Sequence, residues 1–153
     1  MKNFTWDNSK YEKFLHERNM PIKDLISRIY SICDRAGDIS NVLDLGCGGG
    51  NSTELLAKAF SKAHIMGIDS SANMLEKAKS RNIKSATFIE SNLDLGLDSK
   101  YRAELIFANA SLHWITNQGK ILHEIATILK NNDSDIKIFA MQIFLYHYHY
   151  FLV

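Results

Sequence analysis

The chain has a single proline and no glycine-serine, charged or low-complexity tract, so nothing in its 153 residues marks a linker or a second domain. That length predicts one domain over 1–153 with a single sizeable core. Cysteine is scarce too. Cys33 and Cys47 stand far apart at no metal-ligand or redox spacing, which predicts two reduced thiols, no metal and a cytoplasmic setting. Charge of one sign is missing: 18 basic residues against 17 acidic leave +1, too little field to predict a nucleic-acid or membrane partner. The first twenty residues hold no apolar run of signal-peptide type. The longest apolar stretch, Ile136 to Val153, is broken by Lys137, Gln142, His147 and His149, and reads as strand rather than membrane span.

What is present alternates between helix and strand periods, which predicts an α/β fold with a parallel sheet. N-terminal helices are expected within 8–35. One covers Ser9 to Asn19 and buries Tyr11, Phe14 and Leu15. A second opens at Pro21, where a missing N–H is harmless, and turns Ile22, Leu25, Ile26, Ile29 and Cys33 inward. The sheet core is expected over 41–142, with strands at Asn41–Leu45, His64–Ile68, Ala86–Ile89, Glu104–Ala108 and from Ile136. The fourth strand is almost wholly apolar and therefore central. Between them, Asn51-Ser52-Thr53-Glu54 reads as a capping box opening a helix that buries Leu55, Leu56, Ala59 and Phe60. Ser70-Ser71 caps a helix burying Met74, Leu75 and Ala78. Asn117–Lys130 is an amphipathic helix with Ile121, Leu122, Ile125, Ile128 and Leu129 inward.

The strongest chemical signal lies where the first strand meets its crossover helix, at Asp44-Leu45-Gly46-Cys47-Gly48-Gly49-Gly50. Gly46, Gly48 and Gly50 let the backbone turn tightly against a ligand, and the helix that follows aims its free N–H groups at the same place. A dinucleotide fingerprint needs a third glycine where this chain has Asn51 or Thr53, and a P-loop needs a lysine that is absent. An acid inside the strand end suits a ligand without phosphates that carries an ammonium. A second acid, Asp69, ends the second strand, where it can accept hydrogen bonds from ribose hydroxyls. The bland alternative is a glycine turn beside a helix-capping Asp69.

These residues resemble the class I S-adenosylmethionine-dependent methyltransferases, and within them the trans-aconitate 2-methyltransferase group. The resemblance is carried by Val42 to Thr53, by Gly67-Ile68-Asp69-Ser70-Ser71 with Met74-Leu75, and by Phe107-Ala108-Asn109-Ala110-Ser111-Leu112-His113-Trp114. Trp6, Tyr11, Phe14, Arg18, Pro21, Asp24 and Leu25 resemble the group's opening segment. It implies a Rossmann-like parallel sheet with helices on both faces, S-adenosyl-L-methionine as cofactor, and a small-molecule carboxylate as methyl acceptor. By resemblance, Asp44 and the Gly46–Gly50 backbone, Cys47 included, hold the methionine moiety, and Asp69 with Ser70 the ribose. Met74 packs on adenine or simply fills the core. Asn92 stands where the family has an acid for the adenine amino group. Asn109 faces the methyl-transfer centre or serves a turn. Arg18 pairs a cofactor or substrate carboxylate through its planar fork, or makes a surface ion pair. His113 replaces an expected glutamine, and either orients substrate or sits hydrogen-bonded at the surface; Trp114 is expected to pack on the sheet.

No residue stands out as catalytic acid or base, which fits a carboxylate nucleophile that is already ionised near neutral pH. The resemblance ends near Gln142. The tail 143–153 is atypical, and implies a short form lacking the family's last strands, with an exposed fifth strand open to self-association. His147 and His149 share a face of that tail without a third metal ligand. Two functional readings stand: a working methyltransferase, and a cofactor-binding remnant without turnover. A nicotinamide-dependent Rossmann enzyme is the third and weaker reading.

Overall fold

The computed structural model describes the backbone of residues 8–143 and 149–152, and the side chains of residues 17 and 19–143. Its first element, α1 (Asn8–Ile32), is one continuous helix rather than the two expected, and Pro21 lies inside it. A proline there removes one hydrogen bond and costs about 3 kcal/mol or more. Ile22, Leu25, Ile26 and Ile29 follow it, each 9% exposed or less, and each buried side chain of this kind contributes roughly 1.5–3 kcal/mol. Packing on the sheet therefore outweighs the proline.

The strands are β1 (Asn41–Leu45), β2 (His64–Asp69), β3 (Ala86–Glu90), β4 (Leu105–Asn109), β5 (Ile138–Ile143) and β6 (His149–Leu152). They form one sheet in the order β3-β2-β1-β4-β5-β6, in which the first five run parallel and β6 runs antiparallel to β5. The connecting helices are α2 (Asn51–Ala59), α3 (Ala72–Ser80) and α4 (Gln118–Lys130). Leu105 and Phe107 of β4 join the core beneath α1 and α2, whereas Ile106 and Ala108 join the core beneath α4. Burial on both faces explains why β4 reads as an unbroken apolar run. After β3 the chain crosses back to β4, so the connections diverge between β1 and β4, the position where open α/β sheets leave a crevice.

Several expectations need correction. Asn51 to Glu54 form no capping box: Gly50 is the N-cap of α2, in a left-handed conformation, and Glu54 is drawn away to Lys58 and Arg81. Met74 is 43% exposed, because only Leu75 and Ala78 of α3 face the sheet. Leu122 is likewise exposed, on the outer edge of the α4 stripe. Trp114 does not pack on the sheet; it is 78% exposed on a 3-10 turn, Leu112–Trp114, after β4. Nor is β5 an open edge. Ala140 to Ile143 pair with Leu152 to His149, so the tail itself supplies the neighbour that β5 needs. The side chains of Tyr11, Phe14, Leu15, Arg18, His147 and His149 lie outside the described residues. Among the described residues no helix is long and apolar enough to cross a membrane, and no cluster of metal-ligating side chains occurs.

Candidate functional site

The loops that follow β1, β2, β3 and β4 converge at the carboxyl ends of those strands. Gly46 has a φ of +70°, and a Cβ there would stand 2.2 Å from Cβ of Ser111. Both the conformation and the space demand glycine. Ser111 closes the crevice between β1 and β4 by donating its hydroxyl to Leu45 O at 2.6 Å. At the far end of the loop Gly50 has a φ of +79°, and a Cβ would meet Ala78 of α3 at 2.9 Å. The loop is thus pressed against Ser111, just after β4, on one side and α3 on the other, with the first turn of α2 directly behind it.

The two acids bracket this loop in different ways. Asp69 accepts from Gly48 N at 2.8 Å through Oδ2 and from Ser71 N at 2.9 Å through Oδ1. It ties the glycine loop to the start of α3, and each oxygen keeps a second lone pair for a ligand hydroxyl. Asp44 is fully buried beneath the loop. Its Oδ2 accepts from the Ser52 hydroxyl at 2.7 Å and the Thr53 hydroxyl at 2.6 Å, while Oδ1 is buried with no partner among the described residues. Burial pushes its carboxyl from an ordinary 3.8 up to about 6, against the two hydroxyls and with the help of the Asp69 charge. Cys47 is 4% exposed, and burial with the nearby Asp44 and Asp69 charges pushes its thiol well above the usual range. It is therefore a neutral wall of the site and no nucleophile.

Two cavities adjoin here, and Gly46 and Ala110 line both. One, of about 340 Å³, is bounded by Asp69, Ser70, Ser91, Asn92, Asp94, Ser111 and Trp114 among others. The second, of about 660 Å³, reaches from Ile22 of α1 across Cys47 to Gly49 and Asn51-Ser52 to Met74, Lys77, Arg81 and Asn109. Among the described residues that line the smaller cavity none is basic, while Asp69 and Asp94 are acidic. It can accept hydroxyl and amino hydrogens, and it disfavours phosphate. Ala110, at the partition, has a φ of +54°, a conformation rare for a residue with a side chain and often stored at functional sites.

Of the residues singled out from sequence, Gly46, Cys47, Gly48, Asp69, Ser70, Met74, Asn92 and Asn109 line the cavities. Asp44 and Gly50 support the loop from behind without lining either. Asn92 turns its Oδ1 onto Asp94 N at 2.9 Å, which starts a short 3-10 turn. Asn109 Oδ1 is buried with no partner among the described residues. Met74 owes its exposure to its place at the rim of the larger cavity. Arg18 lies on α1, with its side chain outside the described residues. His113 Nδ1 is buried and also without a described partner, and its ring lies tilted against Trp114 at 4.8 Å.

Sequence reasoning missed four contributors. Ser52 and Thr53 read as helix-capping residues and instead hold Asp44. Asp94 sits in the smaller cavity and accepts Thr116 N at 2.7 Å. Arg81 donates to Gly49 O and to Glu54 Oε2, each at 2.6 Å, and braces the loop from 32 residues away. Two hydroxyls placed eight and nine residues after a strand-end acid were the only sequence signal available; nothing local announces Arg81.

Comparison with known proteins agrees with this geometry. A family model described as a methyltransferase domain matches residues 37–136. Trans-aconitate 2-methyltransferase of Enterobacter sp. (strain 638) is 38% identical over 127 residues, covering 83% of this chain and 48% of the relative. That of Afipia carboxidovorans is 40% identical over 110 residues, or 72% and 40%. The chain thus spans about half the length of the curated relatives it matches. Among solved structures, the plantazolicin methyltransferase BpumL in complex with SAH superposes with a TM-score of 0.66 at 21% identity, over 92% of this chain and 54% of that one. An amino pentose methyltransferase from Micromonospora echinaspora, solved with SAM bound, gives 0.67 at 15% identity, over 95% and 59%. The sheet, the glycine loop at its switch point and the matched model together place this chain in the methyltransferase domain family, with the Rossmann-like α/β fold of its class I members.

Proposed function

We propose that the chain binds S-adenosylmethionine across the two adjoining cavities and transfers its methyl group to a small-molecule carboxylate. One observation carries this reading: a glycine loop bracketed by two carboxylates, Asp44 and Asp69, lies between a cavity with no basic residue among its described lining and a larger one that Lys77 and Arg81 also line. The smaller cavity suits ligand hydroxyl and amino groups rather than a pyrophosphate, and the carboxylate beneath the loop suits an ammonium. The unpartnered Oδ1 of Asp44 and the open space beside Gly48, where an added Cβ would meet nothing within 4 Å, fit an amino-acid moiety laid along the loop.

Bound there, the cofactor would supply an electrophilic sulfonium methyl, so that a carboxylate oxygen forms the new C–O bond as the C–S bond breaks and its electron pair stays on sulfur. The residues do the holding. The free lone pairs of Asp69, with Ser70, take the ribose hydroxyls; Met74 and Asn92 border the adenine. Asp44 and the Gly46–Gly50 backbone, Cys47 included, hold the methionine end, and Asn109 marks the methyl. Arg18 is the candidate partner for a carboxylate of cofactor or acceptor. No side chain needs to move a proton, because the acceptor is already ionised; catalysis rests on alignment and on exclusion of water. The acceptor class is taken from the trans-aconitate relatives, and the reduced Cys33 and Cys47 suit a cytoplasmic setting.

Calorimetric titration with S-adenosylhomocysteine on wild type and Asp69→Ala, followed by a methyl-transfer assay with trans-aconitate, tests the reading. Binding by the wild type and its loss in a folded variant support it; no binding by well-folded wild type overturns it. The alternative reading is a binding module without turnover. Cofactor binding with no methylated acid would select it.

A further inference from the structure

Gln142 belongs to no part of the site described so far, yet it is 1% exposed, and neither Nε2 nor Oε1 has a partner among the described residues. A buried carboxamide with both ends unbonded is rare and calls for a ligand, an ordered water or a catalytic use. Its place is informative. Gln142, next to last in β5, stands in direct register with Asn109 at the end of β4. Side chains two residues apart on a strand share a face. Leu105 and Phe107 on β4, and Ile138 and Ala140 on β5, belong to the core beneath α1, so Asn109 and Gln142 continue those rows on the same face. Asn109 lines the larger cavity, as Ile22 of α1 does, and its Oδ1 has no partner among the described residues either. The two amides are neighbours and still make no hydrogen bond to each other. The main chain joins them to the partition of the site, for Gln142 O accepts Ala110 N at 2.8 Å.

We infer that Gln142 and Asn109 form the acceptor subsite, two uncharged carboxamides that hold the acceptor's carboxylate at the carboxyl ends of β4 and β5. This rests on the methyl-transfer reading above and adds the place and chemistry of acceptor recognition. A neutral donor pair is apt. It orients the attacking carboxylate through N–H groups without the full countercharge of a lysine or arginine, which would draw electron density from the attacking oxygen, and leaves Arg18 to a carboxylate that does not react.

The test uses the full chain loaded with S-adenosylhomocysteine. Trans-aconitate is titrated while side-chain amide resonances are followed by nitrogen-15 NMR, with Gln142→Leu identifying the Gln142 pair. The Gln142 and Asn109 amide signals should move with the titration. Gln142→Leu should keep its affinity for S-adenosylhomocysteine and weaken trans-aconitate about ten- to a hundred-fold, the loss expected for a hydrogen bond to a charged group. Gln142→Glu should weaken it further by placing like charge opposite the acid. A merely structural amide predicts the opposite, since Leu removes two unbonded polar atoms and leaves acid binding untouched. Silent Gln142 amides across the titration, or unchanged acid affinity in Gln142→Leu, overturn the inference and leave the cofactor reading intact. Failure of the wild type to bind S-adenosylhomocysteine refutes that reading and this inference with it.

Discussion

Raising the pH of the ligand-free protein from 4 to 7 will cost it stability through Asp44, and Asp44→Asn isolates the effect. In the unfolded chain this carboxyl loses its proton near 3.8; in the folded chain burial holds the proton on until about 6. Between those values the folded state binds more protons than the unfolded, so stability falls as pH rises. The contribution is fully present below about 4 and gone above about 6. Each tenfold change in proton affinity is about 1.4 kcal/mol, which makes the whole loss about 3 kcal/mol, an order-of-magnitude figure for a group this deeply buried. Asparagine retains an oxygen to accept from the Ser52 and Thr53 hydroxyls but cannot titrate. Urea unfolding of both proteins from pH 4 to pH 8 gives the difference in stability at each pH. Any constant penalty for the new amide hydrogens shifts that curve without tilting it. Asp38, held low by Lys62 and Arg35, and Glu54, held low by Lys58 and Arg81, are common to both proteins and cancel. The difference should climb in favour of Asp44→Asn by about 3 kcal/mol between pH 4 and pH 7. A flat difference, or one tilting the other way, would refute the buried, proton-holding Asp44.

Ligand binding should carry the same signature reversed. If an ammonium lies near Asp44, S-adenosylhomocysteine will expel its proton, and affinity will rise as pH increases through about 6; calorimetry at pH 5.5 in buffers of different ionisation heat should register proton release, and uptake would contradict the placement. Gly46→Ala should lower stability by roughly 1–3 kcal/mol from conformation alone, more from the Ser111 contact, with the Ser111→Gly double variant recovering only the second part in thermal unfolding. Arg81→Ala should change stability by less than about 1 kcal/mol, because its pair with Glu54 is partly exposed. It should nevertheless weaken S-adenosylhomocysteine about tenfold by releasing the Gly49 carbonyl; equal affinity in isothermal titration would show that the loop holds its shape unaided.

Much of this architecture could be read from residue order, and the failures share a cause. β1 was legible to the residue because Asn41 to Leu45 is an apolar run closed by a glycine loop, and β4 was legible as central because it is apolar on both faces. Local pattern misled wherever a tertiary partner competed. Ser52 and Thr53 look like caps until Asp44 lies beneath them, and Glu54 looks like a capping-box acid until Arg81 arrives from α3's far end. Pro21 looks like a helix start until the sheet buries the residues after it. Periodicity placed Met74 and Leu122 inward because it locates a stripe but not the stripe's width. Within the site, Asp44, Asp69 and the glycines declared themselves by spacing. Gln142 could not, since its significance lies in having no partner among the described residues, a property only the assembled fold possesses.

The two acids also differ in what the fold asks of them. Asp69 is structural first: both oxygens hold main-chain N–H groups, so its removal loosens the glycine loop and the start of α3 together. Asp44 stands the other way. One oxygen is held by two hydroxyls and the other by nothing described, and above about pH 6 its charge weighs against the folded state. On the proposed cofactor reading, a carboxylate there serves the bound state, in which an ammonium comes to rest on the loop above it, and Ser52 and Thr53 hold its other oxygen in place.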